Sequence, residues 1–205
     1  DFSLGRLAGD EAMRALGRVA RLGVSALVAL GIAFGPRSAD AEIRIGDLSV
    51  FLNDLDVTAQ LILLEAIPPS FRESLESGLP VQARISIELR QYSRFWMDSQ
   101  IKAHTVERQL TYNVLAKEYK VVSTSGEERE PYLTKDLREA QRGVSEGRAV
   151  KLARASALDP RELFYVRVRA EVSVGGPNTF FARLFGQAEE THWVTSPLLT
   201  VTRRQ

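Results

Sequence analysis

Two segments of the chain alternate strictly between apolar and polar residues. The first runs from Val81 to Leu89 and the second from Phe164 to Val174. Successive side chains of a β-strand point to opposite faces, so a period of two predicts a strand with one buried and one solvated face. Strands of this kind are typical of antiparallel sheets. The fold must therefore bury one face of at least two long strands.

Weaker apolar patterns predict further strands before, between and after these two. They span residues 43–52, 57–67, 101–114, 119–122 and 150–152. The apolar phase changes near Gly46 in the first and near Thr105 in the third, which predicts a β-bulge at each place. Turn-forming residues 53–56 join the first two segments as a hairpin.

Two short helices are predicted among the strands. Ser70 and Glu73 have the spacing of a capping box, so Ser70 is the predicted N-cap of a helix that ends before Pro80. Thr134 is the predicted N-cap of the second, with the Leu137 side of the helix facing the core. We therefore expect a mainly β fold on the border with α+β. It is an antiparallel β-sandwich-like domain with two short helices, preceded by a signal-peptide helix.

The N-terminal 41 residues have the pattern of a secretory leader. Three arginines precede an uncharged apolar stretch from Leu22 to Gly35, and an Ala-x-Ala cleavage site ends at Ala41. The apolar stretch is shorter than the ~20 residues that cross a bilayer as a helix. We expect residues 1–12 to be an over-extended gene start, residues 13–41 to be a signal peptide cleaved after Ala41, and the product to be periplasmic. The alternative is an uncleaved signal that anchors the chain to the inner membrane.

The exported part would be one domain of balanced charge. We expect a β-rich domain over residues 42–178 and an aromatic C-terminal extension over residues 179–205 that packs on the same domain. Without the leader the chain keeps 22 basic and 22 acidic residues. A net charge of zero disfavours electrostatic capture of nucleic acid by the whole domain, so no nucleic-acid partner is expected.

The composition removes several kinds of chemistry. The chain has no cysteine, which excludes disulfides, cysteine-bound zinc, iron–sulfur clusters and thiol nucleophiles. The two histidines, His104 and His192, are far apart in sequence and lack the spacing of a metal site. Acidic residues are frequent enough for a glycosidase pair, but the sequence does not set their separation. We expect no catalytic residue, no cofactor and no metal.

A cluster between two long predicted strands is the first candidate for binding. Arg94, Trp96 and Asp98 lie where a hairpin should turn. They could contact a ligand or partner, since Trp and Arg are frequent interface anchors. They could instead form a structural corner in which Trp96 fills the edge of the core and Arg94 pairs with Asp98. The corner is favoured because large aromatic side chains are highly buried on average.

The C-terminal extension carries the other candidates. Phe180, Phe181 and Phe185 could reach a bilayer surface or a partner, or could form a lid over the core. Trp193 follows in the same extension and is also a candidate for binding a partner or ligand.

Four arginines lie at polar positions of the two alternating segments. They are Arg84, Arg90, Arg167 and Arg169. If the two strands are neighbours, these side chains could form a basic stripe. Because Glu88 and Glu171 share their faces, cross-strand ion pairing is the simpler interpretation.

Five short segments, in this order, resemble a proteobacterial secreted family called domain of unknown function 4390. They are Gly78-Leu79-Pro80, residues 94–98 (RFWMD), 108–113 (RQLTYN), 117–121 (KEYKV) and 191–196 (THWVTS). The resemblance implies export and a β-rich domain, and it brings no catalytic residues. Genes of the family often lie near a membrane sensor kinase of nitrogen regulation, which suggests a partner. The acidic loop before Thr134 and the chain after Pro197 depart from the family pattern.

These observations favour an exported periplasmic protein that is a non-enzymatic binding or accessory module for a membrane protein such as a sensor kinase. Membrane contact is expected only through the signal peptide or the aromatic extension. A carrier of an apolar small molecule or lipid is one alternative, and an envelope hydrolase is another. Strand order, oligomeric state and the identity of the partner do not follow from the sequence.

Overall fold

The computed structural model describes residues 42–53, 55–175 and 188–201. The expected leader lies outside these residues, as do Phe180, Phe181 and Phe185. Within the described part of the chain, no helix is long and apolar enough to cross a membrane.

The described chain consists mostly of strands. The strands are β1 (Arg44–Ile45), β2 (Ser49–Asn53), β3 (Asp56–Leu64), β4 (Val81–Gln91), β5 (Ser99–Asn113), β6 (Glu118–Ser125), β7 (Tyr132–Thr134), β8 (Glu146–Arg154), β9 (Phe164–Val174), β10 (Ala188–Glu190) and β11 (Val194–Thr195). Helix α1 (Pro69–Glu76) precedes β4, and helix α2 (Leu137–Ser145) precedes β8.

The strands form two antiparallel sheets. In the smaller sheet β3 pairs with β1, β2 and β8, and in the larger sheet the order is β10-β9-β4-β5-β6-β7, with β11 also pairing with β9. The apolar positions of β4 and β9 and the side of β3 that carries Val57, Ala59, Leu61 and Leu63 are almost fully buried, and they belong to one hydrophobic cluster that includes residues of both helices. This confirms the mainly β, antiparallel, sandwich-like fold with two short helices. The alternation predicted it because each strand has one apolar face to bury.

Both helices begin at residues other than the predicted caps. Helix α1 begins at Pro69, and Ser70 makes no capping hydrogen bond, because proline at the first helical position already has the φ that a helix needs. Helix α2 begins after Asp136, whose carboxylate accepts a hydrogen bond from the Arg138 amide at 2.8 Å. Thr134 ends β7 instead. The two predicted cap residues were therefore wrong, although the core-facing side predicted for α2 was right, since Ala140 and Val144 are buried.

One of the two predicted bulges is absent from its place. The phase change near Gly46 coincides with a break between β1 and β2. Near Thr105, by contrast, β5 stays in constant register with β4 from Lys102 to Leu110. The register shift in β5 lies at Ile101, between the pairs Leu89–Lys102 and Arg90–Gln100. Ala103 lies on the solvated face, and both residues are exposed. Apolar residues on the wrong face were therefore an indication of an exposed surface.

Candidate binding surface

Four loops meet at one end of the sandwich, which we call the apical end. They are the β2–β3 turn, the β4–β5 loop (residues 92–98), the β8–β9 connection (residues 155–163) and residues 197–199. Backbone hydrogen bonds connect them: the Ala155 N–H donates to the Leu55 carbonyl at 2.7 Å, and the Tyr92 N–H donates to the Leu163 carbonyl at 2.8 Å. Leu199 forms a bridge with Phe164, the first residue of β9.

The apical end collects exposed apolar side chains. Each is at least about a third exposed, and together they cover all four loops and the adjoining strand ends. They are Phe51, Leu52, Leu55, Tyr92, Phe95, Trp96, Met97, Ile101, Leu163 and Leu198. Scattered single apolar residues are normal on a protein surface, but a contiguous group of this kind marks a place of contact.

Three consecutive residues of the β4–β5 loop project farthest into solvent, and we call them the apolar tip. Phe95 is 88% exposed, and Trp96 and Met97 are each 84% exposed. Trp96 therefore does not fill the edge of the core, and the corner interpretation was wrong. It failed because average burial says nothing about a side chain at the end of a hairpin that extends past the sandwich.

Asp98 holds the loop that carries the tip. Its Oδ1 accepts from the Ser93 N–H at 2.9 Å and its Oδ2 from the Tyr165 hydroxyl at 2.7 Å, while its carbonyl accepts from Arg90 at 2.6 Å. The Ser93 amide lowers the pKa of Asp98 below its ordinary value, and the Tyr165 hydroxyl lowers it further. Asp98 is thus a positioning residue, and its predicted partner Arg94 instead lies against the Phe95 ring, 5.6 Å from its centroid.

The outer face of the larger sheet is a network of ion pairs. Arg84 pairs with Glu107 at 2.7 Å, Arg167 with Glu88 at 2.7 Å and Arg169 with Glu190 at 2.6 Å, while Arg90 also reaches Glu88 at 3.1 Å. Burial alone raises the pKa of Glu88, but the hydrogen bonds from Arg167 and Arg90 outweigh it and lower the pKa. Three of the four arginines therefore pair across strands, as expected, and Arg90 pairs within β4, so the four form no free basic stripe.

Trp193 belongs to this face. The guanidinium carbons of Arg167 and Arg169 lie 4.3 and 4.8 Å from its ring centroid, so the indole covers both cations. Of the predicted binding residues, the structure brings Arg94, Trp96 and Asp98 together in one loop and places Trp193 on the ion-paired face of β9.

The first half of β5 has an open edge. Strand β5 pairs with β4 from Ser99 to Leu110, but it pairs with β6 only from Glu107 onward. Residues 99–106 therefore have no strand of the described chain on their other side. Elsewhere in this sheet the outer side of β9 is lined by β10 and β11, and the outer side of β6 by β7.

The loop that follows β6 contacts the end of the open edge through Gly126 and His104. Gly126 has a left-handed φ of 77°, and a Cβ there would lie 1.9 Å from the carbonyl oxygen of Thr105. The His104 Nε2 lies 2.9 Å from the Gly126 carbonyl oxygen. This close approach needs a glycine. The loop lies against the backbone of Thr105 and does not extend along the backbone of residues 99–104.

A buried cation lies between the sheets, behind this edge. Arg108 is 1% exposed, pairs with Glu127 at 2.6 Å, and donates to the carbonyls of Gly143 and Val144 at the end of α2. Burial lowers the pKa of Arg108, and Glu127 opposes that shift. Its three partners connect β5, the loop after β6 and α2, which is a structural role.

Two segments match the spelling of catalytic serine motifs, although no catalytic residue was expected from the sequence. Residues 143–147 read G-x-S-x-G, but Ser145 lies between a helix and a following strand, whereas a nucleophile elbow lies between a strand and a following helix. Its hydroxyl donates to the Arg142 carbonyl at 3.2 Å. Ser99 and Lys102 read S-x-x-K, but residues three apart on a strand point to opposite faces. Neither serine has the geometry of a nucleophile.

Two pockets lie on the described part of the chain. A pocket of about 480 Å³ beside α2 is lined by charged residues, including Arg129, Arg142 and Arg148. A smaller one of about 230 Å³ near the apical end is lined almost entirely by apolar residues of β2 and by Leu199. Across residues 42–53, 55–175 and 188–201, no three metal-ligating side chains come together.

Comparison with protein-family models matches residues 40–187 to a domain of unknown function (DUF4390). The match covers more than two thirds of the chain and confirms the resemblance drawn from the five short segments. No curated protein and no solved structure matches the chain.

Proposed function

The chain belongs to the family described as a domain of unknown function (DUF4390), and we propose that it is a non-enzymatic binding module of the cell envelope. Its partner is a membrane protein such as a sensor kinase, and the open edge of β5 is the contact. The observation that carries the proposal is the run of residues 99–106, which is paired on one side only.

An open edge is a template for another strand. It presents a row of unpaired N–H and C=O groups that an extended segment of a second chain can pair with. The Gly126 loop lies against Thr105 and Val106, so residues 99–104 are the fully open part, and they span about 20 Å, the length of an ordinary strand. Natural proteins usually shorten or cover such edges, as this one does at β9 and β6. An edge left open beside the apolar tip is therefore a place where a partner can add a strand.

The side chains of the edge define the chemistry of that strand. Lys102 is the one charged residue between Ser99 and Val106, and it is exposed. Ile101 and Ala103, on the opposite face, offer small apolar contacts to cross-strand neighbours. We expect the partner to supply an extended segment with an acidic residue opposite Lys102 and apolar residues opposite Ile101 and Ala103.

The expected leader supports an envelope location, and the frequent placement of family genes near a membrane sensor kinase supports a membrane protein as partner. The geometry around Ser145 and Ser99 supports a non-enzymatic role, since neither is arranged as a nucleophile.

Site-specific photocrosslinking tests the proposal. A photoreactive phenylalanine replaces Ala103 in the full-length chain, expressed in its host together with a membrane sensor kinase. We expect a crosslink between this position and an extended extracytoplasmic segment of the kinase or of another membrane protein. Leu115, 97% exposed at the β5–β6 turn, is the control position and should give none.

Charge reversal provides the matched variant. Lys102→Glu should reduce the crosslink at Ala103 by roughly threefold, because a like charge then faces the partner's acidic residue. Lys120→Glu, an exposed lysine on β6, should leave it unchanged. Equal crosslinking at Ala103 and Leu115, or a product that is insensitive to Lys102→Glu, would refute this docking mode.

A carrier of an apolar small molecule is the second candidate, and the pocket of about 230 Å³ favours it. Val50, Leu52 and Leu199 line it, and its size suits a short apolar chain better than a drug-sized ligand, for which ~300 Å³ or more is usual. Native mass spectrometry of protein taken gently from its own envelope tests this. A bound apolar molecule that Val50→Trp removes would support the carrier, and an apo mass would refute it.

A further inference from the structure

We propose that the apolar tip inserts into the interfacial region of a phospholipid bilayer that contains anionic lipids. This lipid contact rests on residues 95–97 and their surroundings. It is independent of the proposed strand pairing at residues 99–106.

The tip is exposed and lies at the end of a hairpin. Phe95, Trp96 and Met97 are consecutive and all more than four-fifths exposed. Three exposed apolar residues in a row are unfavourable in water unless they serve a contact. A side chain that docks on a flat protein surface is usually supported by its own neighbours, whereas these three project from the end of a hairpin, as an inserting loop requires.

The loop that carries the tip contains the aromatic side chains that are favoured at membrane interfaces. Trp and Tyr are enriched at membrane interfaces, where an apolar ring meets lipid and a polar group stays in water. Trp96 lies in the tip and Tyr92 lies at the base of the same loop. Leu163 and Leu198 are exposed on the two neighbouring apical loops, so a shallow insertion would bury apolar groups from three loops together.

Exposed charged residues lie in the loops of the apical end. Arg94 beside the tip, Arg161 in the β8–β9 connection and Lys102 at the start of β5 are exposed cations. Acidic residues lie in the same loops: Asp159, whose carboxylate accepts from the Arg161 amide at 3.0 Å, Glu162, and Asp56 at the start of β3, which pairs with Lys151 at 3.2 Å. Asp98 turns both carboxylate oxygens inward to the loop base. Arg94, which lies against the Phe95 ring, is thus a cation within reach of anionic headgroups at short range.

Hydrogen bonds already order the loop that carries the tip. Asp98 accepts three hydrogen bonds, and the Ser93 hydroxyl accepts from the Trp96 N–H at 3.1 Å. Insertion therefore costs little conformational entropy, since the loop does not have to be arranged on contact. An inserted tip would also hold the open edge of β5 close to the membrane surface.

Tryptophan fluorescence tests the insertion, because Trp96 and Trp193 are the two tryptophans of the whole chain. Trp193→Phe in the full-length protein leaves Trp96 as the reporter and keeps an aromatic ring over Arg167 and Arg169. With vesicles of phosphatidylethanolamine and phosphatidylglycerol, we expect a blue shift, at least twofold protection from acrylamide, and quenching by brominated acyl chains. Pure phosphatidylcholine vesicles should give a weaker response.

A reporter at the other end is the matched control. Leu115→Trp in a background of Trp96→Phe and Trp193→Phe places the single indole on an equally exposed apolar position at the β5–β6 turn. The leader is the same in both proteins, so any binding through it affects both reporters alike. We expect no quenching by brominated lipid at this position.

Two results would overturn the inference. One is a Trp96 spectrum that vesicles leave unchanged, or that they change no more than that of the reporter at Leu115. The other is a Trp96 shift that needs the membrane-protein partner and does not occur with lipid alone, which would assign the tip to a protein contact. Crosslinking at Ala103 is measured separately, so either proposal can fail while the other stands.

Discussion

Removing Glu127 should destabilise the domain more than replacing the buried cation with which it pairs. In Glu127→Ala the guanidinium of Arg108 loses its 2.6 Å ion pair and stays charged at a position that is 1% exposed. An unpaired buried charge typically costs about 3–5 kcal/mol. We expect about 3 kcal/mol, the lower end of that range, because the carbonyls of Gly143 and Val144 remain as partners.

Arg108→Met removes the charge itself. The Met side chain is two atoms shorter than that of arginine and ends near the position of Nε, so it fills the apolar part of the site. Glu127 is 23% exposed and keeps Arg129 at 3.5 Å, so its carboxylate stays solvated and partnered. The cost is then mainly the two carbonyls of α2 that lose a donor, about 1–2 kcal/mol in total. The larger residue is thus the less damaging one to replace.

Urea unfolding followed by circular dichroism measures both free energies. For a domain of this size the expected difference corresponds to a melting-temperature gap of several degrees. Glu128→Ala, an exposed neighbour, is the control and should change stability by no more than ~0.5 kcal/mol. The reasoning is refuted if Arg108→Met proves as destabilising as Glu127→Ala.

Two further outcomes follow from the loops around the open edge. The pKa of Asp98 is lower in the folded state than its ordinary 3.8, so the stability that Asp98 contributes is complete above that value and is lost as the pH falls below it. Asp98→Asn should remove this part of the acid sensitivity in melting temperatures measured from pH 6 down to pH 2. An unchanged profile would show that the hydrogen bonds of Asp98 do not stabilise the domain. Gly126→Ala should destabilise the domain clearly more than Gly175→Ala. Both positions have a left-handed φ, which costs about 1 kcal/mol for a residue with a Cβ. At Gly126 the new Cβ would also lie 1.9 Å from a backbone oxygen, whereas no described atom lies within 4 Å of a Cβ at Gly175. Equal unfolding free energies for these two variants would show that the contact with Thr105 yields easily.

The strands were predictable where their pattern was local. Residues 81–89 and 164–174 alternate without a break, and each became a strand of the larger sheet with its apolar side buried. The helix caps were less predictable, because several polar residues near each helix start could serve. Pro69 and Asp136 prevailed over Ser70 and Thr134 through backbone geometry that single-residue preferences do not resolve.

The candidate surface was predictable in part. Arg94, Trp96 and Asp98 were identified as a group, but the burial expected for Trp96 was wrong. The available indication was the run Phe95-Trp96-Met97 inside a turn, since a core-filling residue seldom has two large apolar neighbours that also need burial. The role of Asp98 was out of reach, because its partner Tyr165 is 67 residues away in sequence.

The sequence by itself determined the two long alternating strands, β4 and β9, and which side of each is apolar, since alternation is a property of neighbouring residues. The tertiary structure alone decided which strands become neighbours. Strand β5 has 15 residues and β6 has 8, so their pairing leaves half of β5 open, and the loop at Gly126 ends beside Thr105. The open edge of β5, the loop held by Asp98 and the apolar tip each depend on contacts between distant segments. Such contacts are set by the packing of the whole sandwich.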